Sequence, residues 1–320
     1  PGVAGGQTIF SQNLYNPRNI EPQSVSFTGA YSAATIDDQG LYVFDRMQLN
    51  DQWQLLAGLR RGDYRTENLN VAADGTRTVR LYNAKETTPS LAVMYKPRQD
   101  VSLYASYVEG LEESGQAPAN AANAFQLLDP AESEQREIGA KFKVGQNSLA
   151  QIAYFDIERA STFQDPNTNV FGLNGKAQFS GVEMAWTGEL NKQLSIAASA
   201  LLMDAELQNP NNAATFGKVP NNTPEQTASL FAEYRLVDVP GLSLSGGLYY
   251  TGKRAVNDAN QAFIGGYTVA SLGARYSTVI GSTPTQFQLV VDNPSDKNYY
   301  STAGNGLIGV GTPRTIKAIV

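Results

Sequence analysis

The stretch Leu242-Ser243-Leu244-Ser245-Gly246-Gly247-Leu248-Tyr249-Tyr250-Thr251 decides the fold. Leu242, Leu244, Leu248 and Tyr250 fall on one face; Ser243, Ser245, Gly247, Tyr249 and Thr251 fall on the other. A two-residue period is strand geometry, because successive side chains of an extended chain point to opposite sides. The same alternation runs through Val101–Tyr107, Thr227–Leu236 and Gln286–Val291. The Ala-rich segment 194–206 also reads as strand, since Ser195, Ala197 and Ser199 alternate with Ile196, Ala198 and Ala200. No stretch carries a convincing helical period.

Working outward from this strand, about 14 strands centre near residues 29, 43, 58, 92, 105, 139, 153, 182, 199, 230, 247, 271, 289 and 316. The connections alternate in length. Short ones include 50–52, 97–100, 145–147 and 191–193; long ones cover roughly 64–87, 110–132, 160–175, 205–223, 253–265 and 294–312. The long ones are rich in Asn, Ala, Gly, Pro and Asp. In an up-and-down barrel every second turn lies at the same end, so this sorting describes short turns on one side of a membrane and long loops on the other. One face of the strands carries Leu, Val, Ala, Ile and Tyr, as lipid requires. The other carries Ser, Thr, Gln, Glu and Arg, as a wet interior requires. The fold class is therefore all-β, an antiparallel up-and-down transmembrane barrel. Tyr42, Trp53, Tyr95, Tyr234, Tyr267 and Tyr276 are candidates for an interfacial aromatic girdle.

Composition sets the exclusions. The chain has 320 residues, 24 Lys+Arg against 30 Asp+Glu, and neither Cys nor His. Without Cys there is no disulfide framework or thiolate metal site. Without His there is no imidazole chemistry of the zinc, haem or catalytic-triad kind. The net charge of -6 argues against a nucleic-acid partner. No apolar run approaches the ~20 residues of a spanning helix. No set of acid, base and nucleophile converges, so no catalytic or metal-ligating residues are assigned and no enzyme activity is expected. Glu132, Glu134 and Glu137 read as a strand-end polar network. Asp37-Asp38 and Glu112-Glu113 read as solvated loop charges.

Several segments, in order, resemble the C-terminal part of the barrel of TonB-dependent outer-membrane receptors of the ferric-siderophore type. They are Trp53-Gln54-Leu55-Leu56-Ala57-Gly58-Leu59-Arg60, Glu132-Ser133-Glu134-Gln135-Arg136-Glu137-Ile138-Gly139-Ala140-Lys141, Phe179-Ser180-Gly181-Val182-Glu183, Val291-Asp292-Asn293-Pro294-Ser295-Asp296-Lys297-Asn298-Tyr299-Tyr300 and Gly311-Thr312-Pro313-Arg314-Thr315. The resemblance covers roughly residues 25–320. Pro294 departs from it, standing where the family has an apolar residue. So does the chain's last residue, Val320, where the family ends on an aromatic. The resemblance implies that residues 1–320 are the C-terminal portion of a barrel of the 22-stranded type, whose plug and energy-coupling segment precede this stretch. The alternative is a self-contained 14-stranded passive channel. A soluble all-β binding module is a further alternative.

The resemblance also implies a function. The family takes up ferric siderophores, bound by long extracellular loops and imported with energy from an inner-membrane complex of the TonB type. The expected location is the bacterial outer membrane, with its lipid as a partner. Iron would travel inside the siderophore, so no protein cofactor is expected. The lack of His disfavours a haem cargo. By loop position, the candidate ligand-binding residues are Phe125, Phe163, Phe171, Phe216, Arg254, Phe263, Tyr299 and Tyr300. Aromatic faces pack on siderophore scaffolds, and Arg meets their negative charge. Loop packing is the ordinary alternative for each of them.

Overall fold

The computed structural model describes residues 31–112, 114–209, 211–304 and 307–320. The strand expected near residue 29, residue Glu113 and part of the 294–312 connection lie outside the described residues. Within them the chain forms strands and no helix: β1 (Tyr31–Gln48), β2 (Trp53–Val71), β3 (Arg77–Arg98), β4 (Val101–Glu112), β5 (Ala131–Val144), β6 (Ser148–Gln164), β7 (Phe171–Glu189), β8 (Leu194–Gln208), β9 (Gln226–Arg235) and β10 (Leu242–Thr251), followed by β11 (Arg254–Ala255), β12 (Phe263–Ile264), β13 (Tyr267–Ile280), β14 (Thr283–Asp292), β15 (Tyr300–Gly304), β16 (Leu307–Val310) and β17 (Thr315–Ile319).

Thirteen of these make one antiparallel sheet in chain order, β1 to β10 and then β13, β14 and β17. Each of the thirteen expected strand centres within the described residues falls inside one of them. The four remaining strands form two small hairpins, β11–β12 and β15–β16, inside the connections that follow β10 and β14. These short strands have no counterpart among the sequence expectations. No pairing joins β17 to β1 among the described residues. Lipid offers a strand edge no hydrogen bonds, so each of these edges needs a strand partner in the membrane.

The register shows how the sequence builds a wall with two faces. Leu103, Ala140, Ile152, Met184, Ala200, Ala228 and Tyr250 stand in one continuous cross-strand row. Because the side-chain period is two, one register fixes the face of every residue in the sheet. Toward the long loops the next row on this face is Ile138, Tyr154, Val182 and Leu202, still apolar. The row after that is Arg136, Asp156, Ser180 and Asp204. This abrupt change from apolar to charged marks the membrane boundary. Toward the short turns the same face carries Phe142, Trp186, Tyr234, Tyr276 and Phe287, and Trp53 stacks on Tyr95 at 4.6 Å. That is one aromatic girdle. Tyr42 and Tyr267 are not in it: opposite Arg60 and Thr251, they have the parity of the opposite, inner face.

The inner face is polar and cross-tied. Arg275 pairs with Glu233 at 2.5 Å, Lys317 with Asp292 at 2.8 Å, and the Ser199 and Ser229 hydroxyls meet at 2.7 Å. The Tyr104 ring covers Gly139 on the neighbouring strand, where a Cβ would sit 2.6 Å from it. Its hydroxyl donates to Glu137, and Lys141 Nζ lies 5.1 Å from its ring. A glycine at that register position is what lets the tyrosine lie flat along the wall.

Two expected loops are mostly strand. The 64–87 connection is an extension of β2 and β3 that turns only at 72–76, and 160–175 narrows to 165–170. Beyond Leu59 the lipid-side parity of β2 reads Arg61, Asp63, Arg65 and Glu67. Asp63 faces Lys85 directly, and the two form an ion pair of 2.5 Å. A hairpin that rises out of the membrane is wet on both faces, so its sequence loses the apolar alternation while its backbone stays extended.

Candidate functional site

The long-loop end is not a set of free loops. Side-chain amides stitch it together. Asn123, in the 113–130 loop, accepts the Phe171 N–H at 2.9 Å and donates to the Phe171 carbonyl at 2.8 Å. Asn260, in the loop after β12's partner strand β11, clasps Val219 of the 209–225 loop the same way, at 3.0 and 2.7 Å. Asn293 clasps Lys297 at 2.9 Å through both of its atoms. One carboxamide offers a donor NH2 group and an acceptor oxygen side by side, so it takes the place of a strand partner for a lone peptide group. Asn169, Asn222, Asn260, Asn293 and Asp296 also adopt positive φ, which Asn and Asp tolerate better than most residues.

A small packed body results. Val256, Ile264 and Ala303 form its apolar centre. Asn222 donates from its backbone to the Ala255 carbonyl at 2.9 Å and accepts the Ala303 N–H on Oδ1 at 3.0 Å. Asn221 donates to Asp258 at 2.8 Å from both its backbone and its side chain. Arg254, only 4% exposed, lies under this body. It donates through Nη2 to the Tyr300 carbonyl at 2.8 Å and through Nη1 to the Ser301 carbonyl and, at 3.4 Å, to Asn222. Its guanidinium lies 5.4 Å from the Tyr267 ring, which packs on Tyr299 at 4.3 Å.

Asp165 ties this body to the neighbouring hairpin. It accepts the N–H groups of Asn167 and Thr168 at 2.8 and 3.2 Å, and Asn211 reaches it at 3.2 Å. The backbone bond from Asn167 chiefly holds its carboxyl below the ordinary value of 3.8. A depressed carboxylate contributes stability above its unfolded pKa, and that contribution is lost as pH falls through the folded value. Hydrogen-exchange protection at Asn167 and Thr168, corrected for intrinsic rate, should therefore hold at neutral pH and fall below about pH 4. Asp165→Asn should remove that acid step. An unchanged step in the variant would remove Asp165 as its cause.

The eight sequence candidates are dispersed. Arg254, Tyr299 and Tyr300 come together in the packed body. Phe163 is buried against Gly172 and Gly175. Phe171 is held by Asn123 through its backbone. Phe125 sits at φ 64 with its ring exposed. Phe216 is 53% exposed. Phe263 is exposed, with Lys253 Nζ 5.3 Å from its ring.

The concavities are lined by other residues. A cavity of about 320 Å³ lies between the tops of β4 to β8 and the loop body, with Glu112, Ser114, Arg159, Asn221, Thr223 and Asp258 in its wall. Below it, about 600 Å³ on the inner face is bounded by Glu112, Glu134, Glu137, Phe155, Arg159 and Glu183. Two rim cavities, of about 500 and 260 Å³, add Lys85, Glu86, Asp129 and Glu132, and Asp38, Arg60 and Glu112. None of the eight candidates lines these four cavities. The signal that finds the wall residues is strand parity: Glu112, Glu137, Arg159 and Glu183 all occupy the inner phase. A fifth depression, about 390 Å³, is lined by Phe142, Ala150, Ile152, Met184, Trp186 and Ala198. It lies in the apolar band and belongs to the lipid face.

A polar-lined wall, an apolar band and a tied crown of loops define a membrane-receptor barrel. The chain belongs to the TonB dependent receptor-like β-barrel family, whose model matches residues 4–293. It is 28% identical to the ferrichrome receptor FcuA of Yersinia enterocolitica, over 96% of this chain and 42% of that protein. It is 29% identical to the ferrioxamine receptor of the same organism, over 94% and 41%. The crystal structure of BauA, the ferric preacinetobactin receptor from Acinetobacter baumannii, superposes with a TM-score of 0.76 at 26% identity, covering 90% of this chain and 43% of that one. The chain thus spans about two fifths of the length of these relatives.

Proposed function

We propose that this chain is the C-terminal part of the barrel wall and loop crown of an outer-membrane receptor that captures a ferric siderophore and imports it. The observation that carries this reading is the tied loop crown standing over polar concavities in a wall of this family. Relatives named for ferrichrome and ferrioxamine, and a structural neighbour named for ferric preacinetobactin, support the cargo. Iron enters as part of the cargo, held by the siderophore, and the protein supplies shape and hydrogen bonds. Passage requires a TonB-type energy-coupling complex, which acts through receptor segments outside this chain. The barrel sits in outer-membrane lipid, and no nucleic-acid or catalytic role is assigned.

The test is uptake of radiolabelled ferric siderophores by iron-starved cells whose only receptor is the full-length protein containing this segment. Uptake that stops when the coupling complex is deleted or the proton gradient collapsed is the expected result. Uptake that persists without either, or a steady ion conductance, would sink the proposal.

A further inference from the structure

The four inner-wall and rim cavities are lined by nine carboxylates and three cations. All three cations are already held: Arg60 by Asp38 at 3.0 Å, Lys85 by Asp63 at 2.5 Å, and Arg159 by Glu112. Glu86 and Asp129 line the same rim cavity and are exposed. Arg254, the loop cation that by sequence would meet an anionic ligand, is buried and spends its donors on loop carbonyls. Among the described residues, then, no unpaired cation faces these cavities.

A concave surface lined by one sign of charge focuses its field outward through the opening. It concentrates ligands of opposite or no charge and repels those of like charge. Ferric chelates differ sharply here. Ferric iron held by three singly charged hydroxamates is neutral, or cationic when the scaffold carries an ammonium. Ferric iron held by three doubly charged catecholates carries three negative charges.

We infer that the cargo is a ferric chelate without net negative charge, of the tris-hydroxamate type, selected over trianionic tris-catecholate complexes by the acidic lining of these cavities. The inference rests on the reading of the chain as a ferric-siderophore receptor and narrows it.

The experiment measures equilibrium binding to the full-length receptor in detergent at low and high salt. The probes are a neutral ferric tris-hydroxamate, a cationic one with a free ammonium, and a trianionic ferric tris-catecholate. The neutral and cationic chelates should bind at least about tenfold tighter than the trianion, and salt should weaken the cation and strengthen the trianion. The Glu86→Lys, Asp129→Lys double variant should narrow the gap by raising affinity for the trianion. These sites lie on the exposed rim, and unchanged heat-modifiable electrophoretic mobility of the barrel reports whether the variant is folded. Tighter binding of the trianion by the unmodified receptor would overturn the charge selection while leaving the receptor reading intact. Failure of all three chelates to bind would overturn both.

Discussion

Ile152→Arg should destabilise the barrel by about 2–4 kcal/mol, the cost of a charge near the bilayer midplane. Ile152 stands in the middle of the apolar band, between Ala140 and Met184. Its side chain is exposed in the isolated chain, and a water-soluble sheet would gain nothing from it there. In lipid that same exposure costs nothing, since acyl chains are as apolar as the side chain. A guanidinium there has to drag water into hydrocarbon or bend to the interface. The control lies one residue away. Gln151→Glu, on the inner face opposite Lys141, should change stability by less than about 0.5 kcal/mol. Reversible urea unfolding of the full-length receptor into liposomes reads both values. Equal effects at the two positions would mean that the assigned lipid face is wrong.

The alternation that places Ile152 was legible in the sequence because lipid on one side and water on the other impose opposite chemistry on adjacent residues. Parity did the rest: short turns such as 145–147 and long loops such as 209–225 fall at opposite ends. Where that asymmetry of solvent ends, legibility ends with it. The outer halves of β2 and β3 are wet on both sides, and Tyr64 to Val71 reads as loop although it is paired throughout. The hairpins β11–β12 and β15–β16 were invisible for a different reason. Two to five residues carry no period, and the hydrogen bonds that set them, between Asn222 and both Ala255 and Ala303 and from Arg254 to the Tyr300 and Ser301 carbonyls, join residues far apart in the chain. The site was legible only in kind. The aromatics and the Arg singled out in the long connections lie at the long-loop end, apart from the residues that line its cavities. Sequence alone did not reveal that Arg254 turns inward to loop carbonyls, because its partners Tyr300 and Ser301 are more than forty residues away. The abundance of Asn in the long connections was visible, but the clasps it makes at Phe171 and Val219 depend on which loops lie side by side.

Arg254→Ala should loosen the loop body while leaving the wall in place. The substitution removes a charged donor from the Tyr300 and Ser301 carbonyls and from Asn222, and it leaves Tyr267 without its cation. Hydrogen bonds to a charged group are worth about 1.5–3 kcal/mol each, and the stranded carbonyls lie in a region where Ala255 and Ala303 are buried. Local opening should become easier by about 3 kcal/mol, which is roughly a hundredfold loss of hydrogen-exchange protection. The amides of Asn222, Ala303 and Gly311 should lose it together, because they belong to one network. Arg254→Lys should rescue little, since a point charge does not reproduce the planar fork that reaches two carbonyls at once. Phe216→Ala is the contrasting case. Its ring is exposed, so protection in the loop body should stay unchanged. If Arg254→Ala left protection intact and lowered only siderophore affinity, Arg254 would be a ligand contact and not the strut of the crown. The alternative outcome, lost protection with ligand affinity falling as a consequence, makes loop order itself a determinant of capture: the crown has to be prefolded before Asn221, Thr223 and Asp258 can wall the cavity beneath it, and ordering it anew at each binding event would draw on the binding energy.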